Sequence, residues 1–86
     1  MSSFALDYDG TYTADPDLWD KFIDLCEERG HTVTIVTMRY PSEGIGGRVD
    51  AVIYTSRKAK VAYCESIDRH FDIWIDDNPK WLLNDG

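Results

Sequence analysis

Phe4-Ala5-Leu6-Asp7-Tyr8-Asp9-Gly10-Thr11 is a short apolar run that ends in two carboxylates one residue apart and then a glycine. Read as a buried strand, it carries the carboxylates at its tip. Alternate side chains of a strand point the same way, so Asp7 and Asp9 converge on one small volume, and Gly10 lets the backbone turn sharply away. Two acids so placed repel each other unless a cation lies between them. A polar strand end, or Asp-Gly as hairpin turn chemistry, accounts for this stretch equally well when it is taken alone.

The rest of the chain decides between these readings. Its 86 residues suit one small domain, expected to bury only about 60% of the surface its unfolded form exposes, so the core is thin and a second subunit is compatible with it. A 43% hydrophobic and 13% aromatic content marks a globular chain rather than a disordered one. Sixteen acidic residues against nine basic ones leave a formal charge of -7, which disfavours attraction to nucleic acid or to an anionic membrane. Part of that excess lies in the pairs Asp7/Asp9 and Asp76/Asp77, where a divalent cation would offset it. Cys26 and Cys64 fall within apolar helical patterns and read as small buried hydrophobes. With no basic-then-apolar leader and no apolar run long enough to cross a bilayer, the expectation is a cytoplasmic protein without a membrane partner.

Asp15-Pro16 opens a helix expected to reach Arg29, since aspartate caps free amides and proline suits the first helical position. Leu18, Trp19, Phe22, Ile23, Leu25 and Cys26 recur at helical spacing as its apolar face, and Gly30 stops it. The β-branched run from His31 to Arg39 predicts a second strand ending near Thr37. A loop with Pro41, Gly44, Gly46 and Gly47 separates it from a third strand over Val49 to Thr55. That connection is short for a parallel crossover, which requires either a helical turn within it or different strand limits. Ser56 is a candidate cap for a second helix over Arg57 to Arg69. A fourth strand follows over Phe71 to Asp76, with Phe71, Ile73 and Ile75 on one face and Trp74 on the other. Trp81, Leu82 and Leu83 predict a terminal segment packed on the core.

This succession is the pattern of an α/β fold: a parallel sheet of about four strands, in the order 4-1-2-3, flanked by helices. Ligands of such sheets bind at the carboxyl ends of the strands. There the polar candidates gather: Asp7 and Asp9 after the first strand, Thr37 at the end of the second, Asp76 and Asp77 after the fourth. Four carboxylates without histidine or cysteine form a hard oxygen set that suits Mg²⁺. Arg57, Lys58 and Lys60 place cations where a helix N-terminus disfavours them, which implies an anion nearby. Spacing alone does not separate Lys58 from Lys60.

Asp7-Tyr8-Asp9-Gly10-Thr11 after an apolar strand, Thr37 closing the second, a lysine opening the helix before the last strand, and Ile73-Trp74-Ile75-Asp76-Asp77 together resemble the four motifs of the haloacid dehalogenase-like phosphohydrolase superfamily. The resemblance spans Phe4 to Pro79. It implies that Asp7 is the nucleophile that forms an aspartyl-phosphate and that Asp9 is the general acid and then base. It also implies that Thr37 binds the transferring phosphoryl oxygens. Lys60 would hold Asp7 and the phosphoryl group, with Lys58 in reserve. The implied Mg²⁺ ligands are Asp7, the backbone carbonyl of Asp9, Asp76 and, in support, Asp77. Arg39 is a further candidate for a substrate phosphate contact.

An aspartate at position 9 resembles the phosphatase and phosphotransferase branches. The connections Tyr12 to Ala14 and Tyr40 to Arg48 are too short for the cap domain that many family members carry, so the implied form is a minimal capless enzyme with an open site. Its expected substrate is a phosphomonoester, either a small molecule such as a nucleotide or the phosphate at a macromolecular end such as that of a polynucleotide. The alternatives are a phosphotransferase built on the same site and a non-catalytic binding or regulatory module. His31 and His70 lack a partner at metal-ligand spacing and read as structural or exposed, and Trp19, Trp74 and Trp81 read as core.

Overall fold

The computed structural model describes residues 1–46 and 51–86. In chain order its elements are β1 (Ser3–Asp7), a 3-10 turn (Tyr12–Ala14), α1 (Pro16–Glu28), β2 (Thr32–Thr37), β3 (Val52–Tyr54), α2 (Lys60–Ser66), β4 (Ile73–Ile75) and α3 (Lys80–Leu83). The four strands form one sheet in the order β3-β2-β1-β4, which read from its other edge runs 4-1-2-3. Every pairing is parallel, with Asp7 opposite Val36, Leu6 opposite Ile75 and Thr37 opposite Tyr54. In that register the carboxyl ends of the strands lie side by side, and the residues that follow them share one edge of the sheet.

Strand alternation divides the core in two. Ala5, Val36 and Ile53 face Cys64 of α2, with Tyr63, Phe71 and Trp74 packed against them. Their immediate chain neighbours Leu6, Ile35, Val52 and Ile75 face the opposite way, toward Tyr8, Tyr12 and Trp19. Both faces of the sheet are therefore covered, as a parallel sheet requires.

The Asp15 carboxylate accepts the Leu18 amide at the start of α1, as the Asp-Pro pair predicts. At the far end Gly30 takes φ +80° and the His31 amide donates to the Cys26 carbonyl. The buried face of α1 is narrower than its sequence pattern: Ile23 and Cys26 are buried, while Leu18 and Leu25 are exposed. α1 packs chiefly on β2 and the 3-10 turn, which offer too little surface to cover a full apolar stripe. The His31 ring serves the fold, its Nδ1 accepting the Ser2 amide.

Three limits move. The third strand is Val52–Tyr54, ending before the expected Thr55; Val49, the expected start, lies outside the described residues. The described residues of the β2–β3 connection, 38–46 and 51, include one turn at 41–43 and no helix. The helix expected from Arg57 begins instead at Lys60, behind Ala59. Ser56 and Arg57 adopt φ of 53° and 69°, conformations that a helix excludes, and Ser56 does not cap α2. The cap comes from the opposite end of the chain, where the Asp85 carboxylate accepts the Ala59 amide at 2.6 Å. Phe71 precedes β4, so alternation does not reach it, and its ring packs edge-on against Trp74 rather than beside Ile73 and Ile75.

The terminal segment does fold back. Its short helix α3 packs beside α2, Trp81 and Leu82 are half-buried, and the Gly86 amide donates to the Arg57 carbonyl. Leu83 is exposed. Among the described residues no helix is long and apolar enough to cross a membrane.

Candidate functional site

At the carboxyl edge of the sheet lies a cavity of about 220 Å³ lined by Asp7, Asp9, Met38, Lys60, Asp76, Asp77, Asn78 and Trp81. Pockets that enclose a drug-sized ligand are usually about 300–1,000 Å³, so this one takes a small polar group and leaves the rest of a larger molecule in solvent.

Its centre is Lys60. The first residue of α2, it is buried, and its ammonium donates to Asp7 Oδ1 and, at 2.7 Å, to Asp76 Oδ2. The side chains of all three are nearly removed from water, at 3%, 8% and 3% exposure. Burial pushes the Asp7 carboxyl up to about 6 from 3.8, against the pull of Lys60 and with help from Asp77 and Asp76. The other oxygens are also engaged. Thr11 Oγ1 donates to Asp7 Oδ2 at 2.9 Å and accepts the Asp77 amide, while the Asn78 amide donates to Asp76 Oδ1.

Asp7, Asp76 and Asp77 each place a carboxylate oxygen within 4.8 Å of the others. One ammonium balances three negative charges there, so the cluster is short of positive charge and its hard oxygen donors fit a divalent cation. Gly10 makes room for it. With φ +84°, its added Cβ would lie 2.5 Å from Asp77 Oδ2.

Asp9 stands apart. It lines the same cavity, yet its carboxylate is outside the three-residue cluster and is held by Arg39, whose Nη2 and Nε donate to Oδ1 and Oδ2 at 2.7 and 3.0 Å. Those bonds from Arg39 hold its carboxyl below the usual range. An ionised carboxylate with both oxygens occupied cannot donate a proton, so the acid role inferred for Asp9 requires Arg39 to let go. Arg39 itself also donates to the Gly44 carbonyl and lies over the Tyr8 ring.

Thr37 is buried at the end of β2, its Oγ1 accepting the Arg39 amide at 3.3 Å, and it does not line the cavity. Lys58 is exposed on the turn before α2 and is likewise absent from the lining. Arg57 turns toward the Met38 carbonyl and Glu43. Of the three cations near α2, Lys60 alone enters the carboxylate cluster. Sequence reasoning assigned no site role to Thr11, Asn78 or Met38, and Trp81, read there as core, is half-buried and lines the cavity. Thr11 had a signal, since a hydroxyl four residues after Asp7 is within reach across the Gly10 turn; the others are brought in by tertiary packing.

Comparison of the chain with family models, with curated proteins and with solved structures finds no match.

Proposed function

We propose that this protein is a Mg²⁺-dependent phosphohydrolase of the haloacid dehalogenase-like kind, with a Rossmann-like sheet, no cap and an open site that accepts phosphomonoesters. The observation that carries the reading is Lys60, buried between Asp7 and Asp76 at the carboxyl edge of an all-parallel sheet. A nucleophilic carboxylate needs a fixed cation beside it when it attacks a phosphate anion, and the sequence spends a buried lysine to supply one.

In this reading an oxygen of Asp7 attacks phosphorus, the bond from phosphorus to the ester oxygen breaks, and Asp9, released from Arg39 and having taken a proton from solvent, gives that proton to the departing alkoxide. Water then loses a proton to Asp9 and attacks the same phosphorus, the bond to Asp7 breaks, and inorganic phosphate leaves. Lys60 orients Asp7 and the phosphoryl oxygens, and Thr11 fixes the second Asp7 oxygen. Thr37 reaches a phosphoryl oxygen if its hydroxyl turns outward from the end of β2. Asp7, Asp76 and Asp77 would hold Mg²⁺, with the Asp9 carbonyl as a further ligand. When bound, the ion screens the charge of nucleophile and phosphate.

The Arg39–Asp9 pair favours a second reading, a binding module that has kept the metal cluster, because it engages the carboxylate on which proton transfer depends. Turnover separates the two. The purified protein is expected to hydrolyse p-nitrophenyl phosphate or a member of a nucleotide panel with Mg²⁺ and not with chelator, and Asp7→Asn is expected to abolish turnover while keeping the far-UV circular dichroism. No Mg²⁺-dependent turnover on any substrate overturns the hydrolase reading.

A further inference from the structure

The mechanism proposed above uses Asp9 but gives no chemical part to Arg39, the residue that holds both Asp9 oxygens. Arg39 spends two nitrogens on the two Asp9 oxygens and a third on the Gly44 carbonyl, and its guanidinium carbon sits 5.2 Å from the centre of the Tyr8 ring. Tyr8 is itself fixed by stacking on Tyr12 and by accepting the Gly46 amide. Arg39 is therefore held from the strand side and the loop side at once. Its planar fork fits a phosphate as well as it fits a carboxylate.

Position distinguishes it from Lys60. The Lys60 ammonium is buried and already shared by Asp7 and Asp76, whereas the side chains of Arg39 and Asp9 are 32% and 56% exposed. Asp9 lines the cavity and Arg39 does not, so Asp9 lies between the cavity and the guanidinium. An anion that reaches Arg39 is thus a different group from the one that meets Asp7. The cavity, at about 220 Å³, is below the size that encloses a whole drug-sized ligand, so the remainder of a larger substrate extends out of it.

We infer that Arg39 is a specificity-determining residue that binds a second phosphate carried by the leaving group. The inference rests on the hydrolase reading. When the second phosphate takes the guanidinium, both Asp9 oxygens are released to face the leaving oxygen; a substrate with a single phosphate leaves Asp9 clamped. The favoured class is a phosphomonoester whose alcohol bears another phosphate, for which a nucleoside bisphosphate is the probe.

The test is the hydrolysis of adenosine 3′,5′-bisphosphate, adenosine 3′-monophosphate and adenosine 5′-monophosphate by the wild type, Arg39→Gln and Arg39→Lys, all with Mg²⁺. The wild type is expected to show at least about ten-fold higher kcat/KM for the bisphosphate, since a positioned general acid contributes about 10²–10⁴-fold and only that substrate releases Asp9. Both variants are expected to bring the three substrates to within about two-fold of one another. Equal use of the three by the wild type, or a preference that survives in both variants, overturns the inference. A uniform loss on all three also overturns it, because Arg39 would then serve the transferring phosphoryl group. Should no substrate turn over, the hydrolase reading fails and Arg39 is judged by calorimetric binding of the same three compounds. Tighter binding of the bisphosphate that disappears in Arg39→Gln supports a second-phosphate site, and equal binding overturns it.

Discussion

Replacing Lys60 by methionine removes one charge and almost no volume, which isolates what the ammonium does. In the wild type it is the only cation that donates to Asp7 and Asp76 among the described residues, and its side chain is 3% exposed. Lys60→Met leaves two buried carboxylates facing each other without it. Breaking a buried ion pair from one side costs about 3–5 kcal/mol, whereas the stability expected of 86 residues at roughly 0.05–0.15 kcal/mol per residue is about 4–13 kcal/mol. The variant is therefore expected to be marginal at pH 8. It is expected to recover on acidification to about pH 5, where the buried Asp7 carboxyl takes up a proton, and on addition of Mg²⁺, which restores positive charge to the cluster. Urea denaturation followed by the fluorescence of Trp19, Trp74 and Trp81 measures this at the two pH values with and without Mg²⁺. A variant within about 0.5 kcal/mol of the wild type at pH 8, a difference ordinary for surface substitutions, would refute the argument that Lys60 neutralises the cluster.

Three other outcomes follow from the same geometry. Asp7 binds its proton more tightly in the fold, at about 6 against 3.8, so in chelator its contribution favours the folded state below pH 3.8 and is lost as pH rises to about 6; the loss is about 3 kcal/mol, read as a fall of the wild-type urea midpoint relative to Asp7→Asn, a reference that cancels the opposite contributions of Asp9 and Glu43, and no relative fall over that window contradicts it. Asp85→Ala removes the hydrogen bond that caps α2 and is expected to cost about 1 kcal/mol in the same measurement, with no change refuting the cap. Gly10→Ala forces φ +84° on a residue with a Cβ that meets Asp77; Mg²⁺ binding measured by calorimetry is expected to weaken at least ten-fold, and unchanged affinity would exclude Asp77 as a ligand.

Much of this site is legible in the chain because parallel strands obey a simple rule. Asp7 ends one apolar run and Asp76 follows another, and a parallel register brings such ends together without any further information. Asp15-Pro16 and Gly30 likewise mark helix limits through local chemistry. What the chain conceals depends on residues far apart. Ser56 looks like a cap and Arg57 like helix, but the Arg57 guanidinium is drawn to the Met38 carbonyl and Glu43, which leaves the cap to Asp85. Nothing local announces that Asp9 pairs with Arg39 thirty positions on, since neither helical nor strand spacing joins them. Leu18 and Leu25 have helical spacing yet remain exposed, because spacing reports which side chains share a face and not how much of that face finds a partner.

The nucleophile is the centre of the account, and it can be trapped. The protein, mixed with a phosphomonoester that it turns over and Mg²⁺, is quenched and reduced with borohydride, which converts an aspartyl-phosphate to homoserine, and the peptide that contains residue 7 is examined by mass spectrometry. Homoserine is expected at position 7, dependent on Mg²⁺ and absent from Lys60→Met. Turnover with reduction at another aspartate, or with no reduced aspartate at all, would contradict it.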